Sequence, residues 1–184
     1  MQTSINGYVA QPDGKTDWMT WNPDAELTAF MAALLDNSDL LLLGRKTAEV
    51  IIPFWEKTAA ENPDHPFAKK IATIPKLVFS KTLTKSLWSN TSLAKGALTK
   101  EVSQLKMQAG KGLLVFGGAG FVSSLIEEGL IDEYHFIVNP TAISSGMTVF
   151  NAFQGVRKFE PVQAKLYPGG KVVLTYHAEP EDNS

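Results

Sequence analysis

The chain of 184 residues contains no cysteine. That absence excludes disulfides, thiolate nucleophiles and cysteine–zinc sites together. It fits a reducing compartment, so a cytoplasmic location is expected. Histidine is scarce too. His65, His135 and His177 stand far apart, with no metal-ligand spacing and no serine–histidine pattern. No metal site is expected. Positive charge is not in excess: 17 Lys and Arg against 19 Asp and Glu leave a formal net charge of −2. A nucleic-acid partner normally demands a basic surface, so none is expected. No apolar run, Leu40–Leu43 included, approaches the roughly 20 residues of a membrane span. Met1-Gln2-Thr3-Ser4 does not open as a signal peptide does. No membrane partner is expected.

What is present suits a core: 44% of the residues are hydrophobic. The length suits one domain, expected over residues 1–178, with an acidic, polar tail over 179–184. Strand and helix patterns alternate, which is the mark of an α/β fold. Ile5–Ala10 reads as the end of a first strand, and Pro12-Asp13-Gly14 as a turn. Pro23 opens a helix capped by Asn22. In it Leu27, Phe30, Met31, Leu34 and Leu35 form one apolar stripe. Asp39–Leu43 is a buried strand ending at Gly44. A helix follows from about Lys46 to Val50, limited by Pro53.

Further along, His65–Ala72 predicts a short helix, Lys76–Ser80 a strand and Ser92–Leu93 part of another. Thr99 caps a helix running to about Gln108. Leu113–Phe116 is a strand, Gly117-Gly118-Ala119-Gly120 leads into a helix ending at Gly129, and Tyr134–Val138 is the next strand. Phe159–Leu166 and Lys171–His177 form a hairpin about Pro168-Gly169-Gly170.

Two places repeat one pattern of strand, glycine and helix. At Gly44 a buried strand stops and Arg45, Lys46 and Thr47 begin a helix. Helix starts offer backbone N–H groups and a positive dipole end, which suit phosphate. A plain helix start with a solvated basic pair explains the same residues equally well. Gly117, Gly118, Ala119 and Gly120 make the second case, since glycines let a backbone approach a pyrophosphate. Ser123 stands where a full Rossmann fingerprint has its third glycine, so a tight structural turn is the competing reading. Between them, Ser80, Lys81 and Thr82 supply two hydroxyls and an ammonium. These suit a phosphate monoester, or form an ordinary polar loop.

The order Trp21-Asn22-Pro23, Leu43-Gly44-Arg45-Lys46-Thr47, Ser80-Lys81-Thr82, Gly117-Gly118-Ala119-Gly120 resembles dihydrofolate reductase. It is more similar to the C-terminal reductase domain of the bacterial bifunctional deaminase–reductase of riboflavin biosynthesis, and to its stand-alone relatives. Ser4–Ala10, Asp17-Trp18, Lys76–Leu83 and Gly129–Glu133 extend the likeness to about His177.

The resemblance implies a three-layer αβα fold, with a mostly parallel central sheet and an antiparallel C-terminal strand. It implies NADPH and hydride transfer to a riboflavin-precursor-like or pterin-like substrate. By the same likeness Gly44, Arg45, Lys46 and Thr47 hold phosphates, and Ser80, Lys81 and Thr82 meet the 2′-phosphate. Gly117, Gly118, Ala119, Gly120, Phe121 and Val122 wrap the pyrophosphate and nicotinamide side. A homodimer is also implied.

Three departures stand out. The first strand is short at its start. Asn6 replaces the aspartate of these relatives, and Ser144-Ser145-Gly146 replaces a more glycine-rich turn. Glu26 is the nearest match to the carboxylate that meets the pterin, and Phe30 shares its helix face. A first-turn carboxylate facing water is the simpler account of Glu26. Ser4, Asn6, Trp18 and Phe30 complete the candidate substrate residues. The alternative function is a dinucleotide-binding or sensor protein on the same fold, without catalysis.

Overall fold

The structure is a computed structural model that describes residues 1–19, 24–152 and 155–179. Its elements run β1 (Gln2–Thr3), α1 (Ala25–Asp36), β2 (Leu40–Gly44), α2 (Arg45–Glu61), α3 (Pro66–Thr73), β3 (Lys76–Phe79), β4 (Thr91–Leu93), α4 (Leu98–Lys106), β5 (Leu113–Val115), α5 (Ala119–Glu127), β6 (Glu133–Val138), β7 (Phe159–Leu166) and β8 (Val172–Ala178). This is the expected mixed α/β architecture, with parallel strands first and antiparallel strands last. The strands form two hydrogen-bonded sets, β4-β3-β2-β5 and β1-β6-β8-β7. They belong to two compact units, residues 25–121 and residues 1–24 with 122–184. No described helix is long and apolar enough to cross a membrane.

In the unit of residues 25–121 all strand pairs are parallel. β2 lies between β3 and β5, and Leu41, Leu42 and Leu43 are at most 1% exposed. A strand covered on both faces needs a continuous apolar run rather than alternation. Leu35, Ala48, Ile52, Phe67, Ile71 and Val78 complete the core around it.

α2 continues to Glu61 with Pro53 inside it, so it does not stop where proline predicts. Proline removes one helical hydrogen bond. The burial of Ala48 and Ile52, and the packing of Ile51 and Trp55 on the core, outweigh that loss. α4 has Ala97 rather than Thr99 as its cap residue. The Glu101 carboxylate instead reaches back to accept the Gly96 N–H at 2.7 Å. Lys76 is a buried lysine in a strand, 2% exposed. Its ammonium donates to the carbonyls of Ala72 (3.0 Å) and Ile74 (2.8 Å), at the C-terminal end of α3 where cations are favoured. Burial lowers its pKa.

The other unit carries β1 parallel to β6, then β6, β8 and β7 in antiparallel order. The hairpin falls where expected. Tyr167 and Lys171 pair across the turn and Gly170 has φ +80°. The N-terminal strand is corrected: it is Gln2–Thr3, and residues 5–8 lie outside it. Ser4–Tyr8 is a closed turn, with Ser4 N–H donating to Tyr8 O at 2.8 Å and Gly7 N–H to Ser4 O at 3.1 Å. Gly7 has φ +84°, which breaks a strand. Val9 and Ala10 rejoin backbone at Met147.

A half-buried polar chain in this unit escapes sequence reading. His135 Nε2 lies 3.1 Å from Glu133 Oε1, and Nδ1 lies 3.0 Å from Thr175 Oγ1. The neutral ring satisfies both: Nε2–H donates to the carboxylate and the threonine hydroxyl donates to Nδ1. Burial lowers the His135 pKa from 6.5, against an upward pull from Glu133. As pH falls, the unfolded chain therefore takes its proton first. This contribution to stability is whole above the unfolded value of 6.5 and declines below it. Urea unfolding between about pH 5 and 8 checks this, and His135→Gln is expected to flatten the slope.

Candidate functional site

In the unit of residues 25–121 the three phosphate-suited segments, two of them running into helix starts, each follow a strand of one parallel sheet. Arg45–Thr47 follows β2, Ser80–Thr82 follows β3, and Gly117–Gly120 follows β5. Because β3, β2 and β5 are neighbours and parallel, all three loops leave the same edge. The chain runs from β2 to β3 on one side and returns to β5 on the other. Ligands of open α/β sheets sit at carboxyl strand ends where the order reverses in this way.

Glycines hold the loops together. A Cβ on Gly44 would lie 2.9 Å from Phe121 Cβ, so β2 and the start of α5 approach only through glycine. Gly117 and Gly118 have φ +73° and +78°, in the region that disfavours side chains. A Cβ on Gly117 would lie 3.0 Å from Thr47 Cγ2, and one on Gly118 would lie inside that distance from Thr47 Oγ1. The Phe79 and Phe121 rings pack 5.2 Å apart, joining the end of β3 to the same corner. Phe79 is a member of this corner that sequence reading passed over. Its signal was its place directly before Ser80.

The polar groups are arranged as follows. α2 and α5 have no acidic residue in their first turns, so the positive dipole ends of both helices are not neutralised there. Arg45 donates to Glu49 Oε1 at 2.7 Å along its own helix. Lys46, Lys81 and Thr82 are exposed, and Thr47 is half-buried. Ser80 Oγ accepts the N–H groups of Thr82 (3.1 Å) and Leu83 (2.9 Å), which shapes the loop and faces Lys81 with two fixed neighbours. Ala119 and Phe121 are half-buried, Gly120 is exposed, and Val122 is buried.

Gly120 tests the fit of a dinucleotide. Among the described residues a Cβ there would meet nothing within 4 Å, and its φ is not positive. Neither crowding nor strain calls for glycine, which costs about 0.5–1 kcal/mol relative to alanine inside a helix. A glycine at this place leaves the helix start open to the close approach of a ligand. The residues therefore fit a phosphate-bearing cofactor at this edge.

The substrate candidates are placed separately. Glu26 is exposed and Phe30 half-buried, one turn apart on α1. In the other unit Ser4 is buried, and its hydroxyl donates to Asn6 Oδ1 at 2.8 Å and accepts Tyr8 N–H at 3.0 Å. Asn6 is exposed, yet its Nδ2 donates to Ile143 O at 2.8 Å. An aspartate could not make that bond, so the amide is what this turn requires. The Trp18 indole N–H is buried with no acceptor among the described residues. The expected cap Asn22, with Trp21 and Pro23, lies outside the described residues, as does most of the expected tail.

Compared with known proteins, the chain is 24% identical over 177 residues to YyaP, an uncharacterized Bacillus subtilis protein, covering 96% of this chain and 92% of that one. Among solved structures it is similar to a Shewanella sp. PV-4 protein assigned to riboflavin biosynthesis, with TM-score 0.71, 23% identity, and 98% and 97% of the two chains covered. It is also similar to a Thermotoga maritima diaminohydroxyphosphoribosylaminopyrimidine deaminase/5-amino-6-(5-phosphoribosylamino)uracil reductase. There the TM-score is 0.67, the identity is 14%, and 97% of this chain matches 55% of that one. At these identities the structures show a shared fold. Residues 1–173 match the RibD C-terminal domain, and the chain belongs to that family.

Proposed function

We propose that the chain is an NADPH-dependent reductase of a small heterocyclic or ribosylated substrate, of the riboflavin-precursor or pterin type. The observation that carries this reading is the convergence of three phosphate-suited loops on one sheet edge, with an open glycine at Gly120. Family membership and a solved relative described as a reductase support it. NADPH, when bound, supplies the hydride.

The chain's own residues would do the rest. The starts of α2 and α5 would bind the diphosphate through backbone N–H groups, with Arg45 and Lys46 adding charge. Arg45 would turn from Glu49 to do so. Lys81, with Ser80 and Thr82, would bind the 2′-phosphate. Phe121, fixed by Phe79, would wall the ring side. Glu26 is the candidate to hold the proton that reduction consumes, and Ser4, Asn6, Trp18 and Phe30 the candidates to orient substrate. A homodimer in the cytoplasm is part of the same proposal. Binding without turnover is the second reading. It is favoured by Asn6, whose amide is engaged within its turn.

Titration with NADPH and NADH, followed by fluorescence and melting temperature, tests the proposal. No shift with either cofactor at millimolar concentration would sink it. Lys81→Ala is expected to weaken NADPH by about 1–3 kcal/mol, the range for a charge-assisted contact, and NADH by less. Gly120→Ala separates ligand from fold. It should leave the protein as stable, or more stable by up to about 1 kcal/mol, while NADPH binding falls. Unchanged NADPH affinity in Gly120→Ala would remove the main argument for the site.

A further inference from the structure

The chain contains one Asn–Gly step, Asn6-Gly7. In such a step the glycine nitrogen, unhindered by a Cβ of its own residue, attacks the asparagine side-chain carbonyl carbon. A new N–Cγ bond closes a five-membered succinimide. The C–N bond of the amide breaks, and the nitrogen leaves as ammonia with the glycine N–H proton. Water then opens the ring to aspartate or isoaspartate. Nothing is oxidised or reduced, and water is the one co-reactant.

Asn6 is exposed, so water and base reach it. Yet the groups that must meet are held apart from reaction. Gly7 N–H already donates to Ser4 O at 3.1 Å. Asn6 Oδ1 accepts from the Ser4 hydroxyl at 2.8 Å and from Ile143 N–H at 3.4 Å, and Nδ2 donates to Ile143 O at 2.8 Å. The Ser4 hydroxyl is itself fixed by Tyr8 N–H at 3.0 Å, and Ser4 is 1% exposed. Swinging Cγ onto the Gly7 nitrogen breaks each of these side-chain bonds.

We propose that Asn6 is a deamidation site held in check by its own hydrogen-bonded turn, so that modification follows loosening of Ser4–Tyr8. The product keeps the turn loose. A carboxylate has no N–H for Ile143 O, and isoaspartate lengthens the backbone of a turn closed by Ser4 N–H to Tyr8 O at 2.8 Å.

The test incubates the full chain at mildly alkaline pH, in native buffer and in concentrated urea. The Asn6 peptide is then followed by mass spectrometry, with isoaspartate read by enzymatic methylation. Modification at Asn6 is expected in urea, and roughly tenfold or more slower in the native protein, since each 1.4 kcal/mol of turn stability is worth about tenfold. Ser4→Ala should raise the native rate several-fold and leave the rate in urea unchanged. Asn6→Gln, which needs a six-membered ring, should stay unmodified in both. Should Ser4→Ala not fold, the unaltered chain suffices: its rate must climb with urea below the unfolding midpoint. Equal rates in native buffer and urea would overturn the proposal. So would no modification in urea, or a folded Ser4→Ala protein with the native rate unchanged.

Discussion

Gly146→Ala is expected to lose roughly 3–5 kcal/mol of stability, above the usual range of about 1–3 kcal/mol for overpacking because the neighbour is unyielding backbone. A Cβ at this position would enter the Ala10 carbonyl oxygen well inside 3.0 Å, and would also meet Ile143 Cδ1 and Tyr8 Cβ at 3.1 Å. The oxygen is backbone and is not free to move. It accepts Met147 N–H at 2.8 Å, while Val9 N–H donates to Met147 O at 2.8 Å. Relief would break the bridge that ties Val9-Ala10 to the following segment. Urea unfolding measures the loss. For a chain of this size each kcal/mol moves the melting temperature by about 2–4 °C, so a fall of about 6–20 °C should accompany it. Gly14→Ala is the control. Its φ is +86°, but no described residue lies within 4 Å of the added atom, so only the backbone cost of about 1–2 kcal/mol applies. A Gly146→Ala protein within 0.5 kcal/mol of the parent would show that this turn yields, and the argument from close approach would fail.

Gly118→Ala is expected to lose about 2–4 kcal/mol and to abolish measurable NADPH binding. Two effects add. At φ +78° an alanine costs about 1–2 kcal/mol. The added methyl also overlaps Thr47 Oγ1, and Thr47 Cβ lies 3.7 Å away. Threonine on a helix has few χ1 choices, so it turns aside only partly. Adding Thr47→Ala removes the overlapping hydroxyl while the backbone cost stays. The double variant should therefore recover about half the lost stability, a coupling a double-mutant cycle reads directly. NADPH binding should not recover, because both proposed contacts are gone. Additive losses in the cycle would mean that Gly118 and Thr47 do not touch as the structure has them.

Much of this corner was legible in sequence because it rests on local chemistry. Strand, glycine and helix follow one another within a few residues at Gly44 and at Gly117, and turns and helix starts are set by local sterics. Gly170 and its hairpin were legible for the same reason. The errors were equally local in origin. Ile5–Ala10 has a strand-like composition, but Gly7 at φ +84° and the partners of Ser4 close it into a turn. Pro53 predicts a helix end, but the packing of Ile51, Ile52 and Trp55 extends the helix beyond it. Thr99 predicts a cap, but the Glu101 carboxylate serves Gly96 and the helix begins earlier.

Sequence alone determined most of the segments that form strands and helices, the glycine turns at Gly117 and Gly170, and which segments carry cations and hydroxyls suited to phosphate. These follow from side-chain shape and charge within a few residues. Tertiary structure decided what those pieces mean together. Only pairing across the chain sets β2 between β3 and β5, bringing the three loops to one edge. Only packing sets Thr47 against Gly118, and Asn6 against Ile143, 137 residues away. Such contacts depend on how buried apolar faces fit one another, and no local pattern encodes that fit.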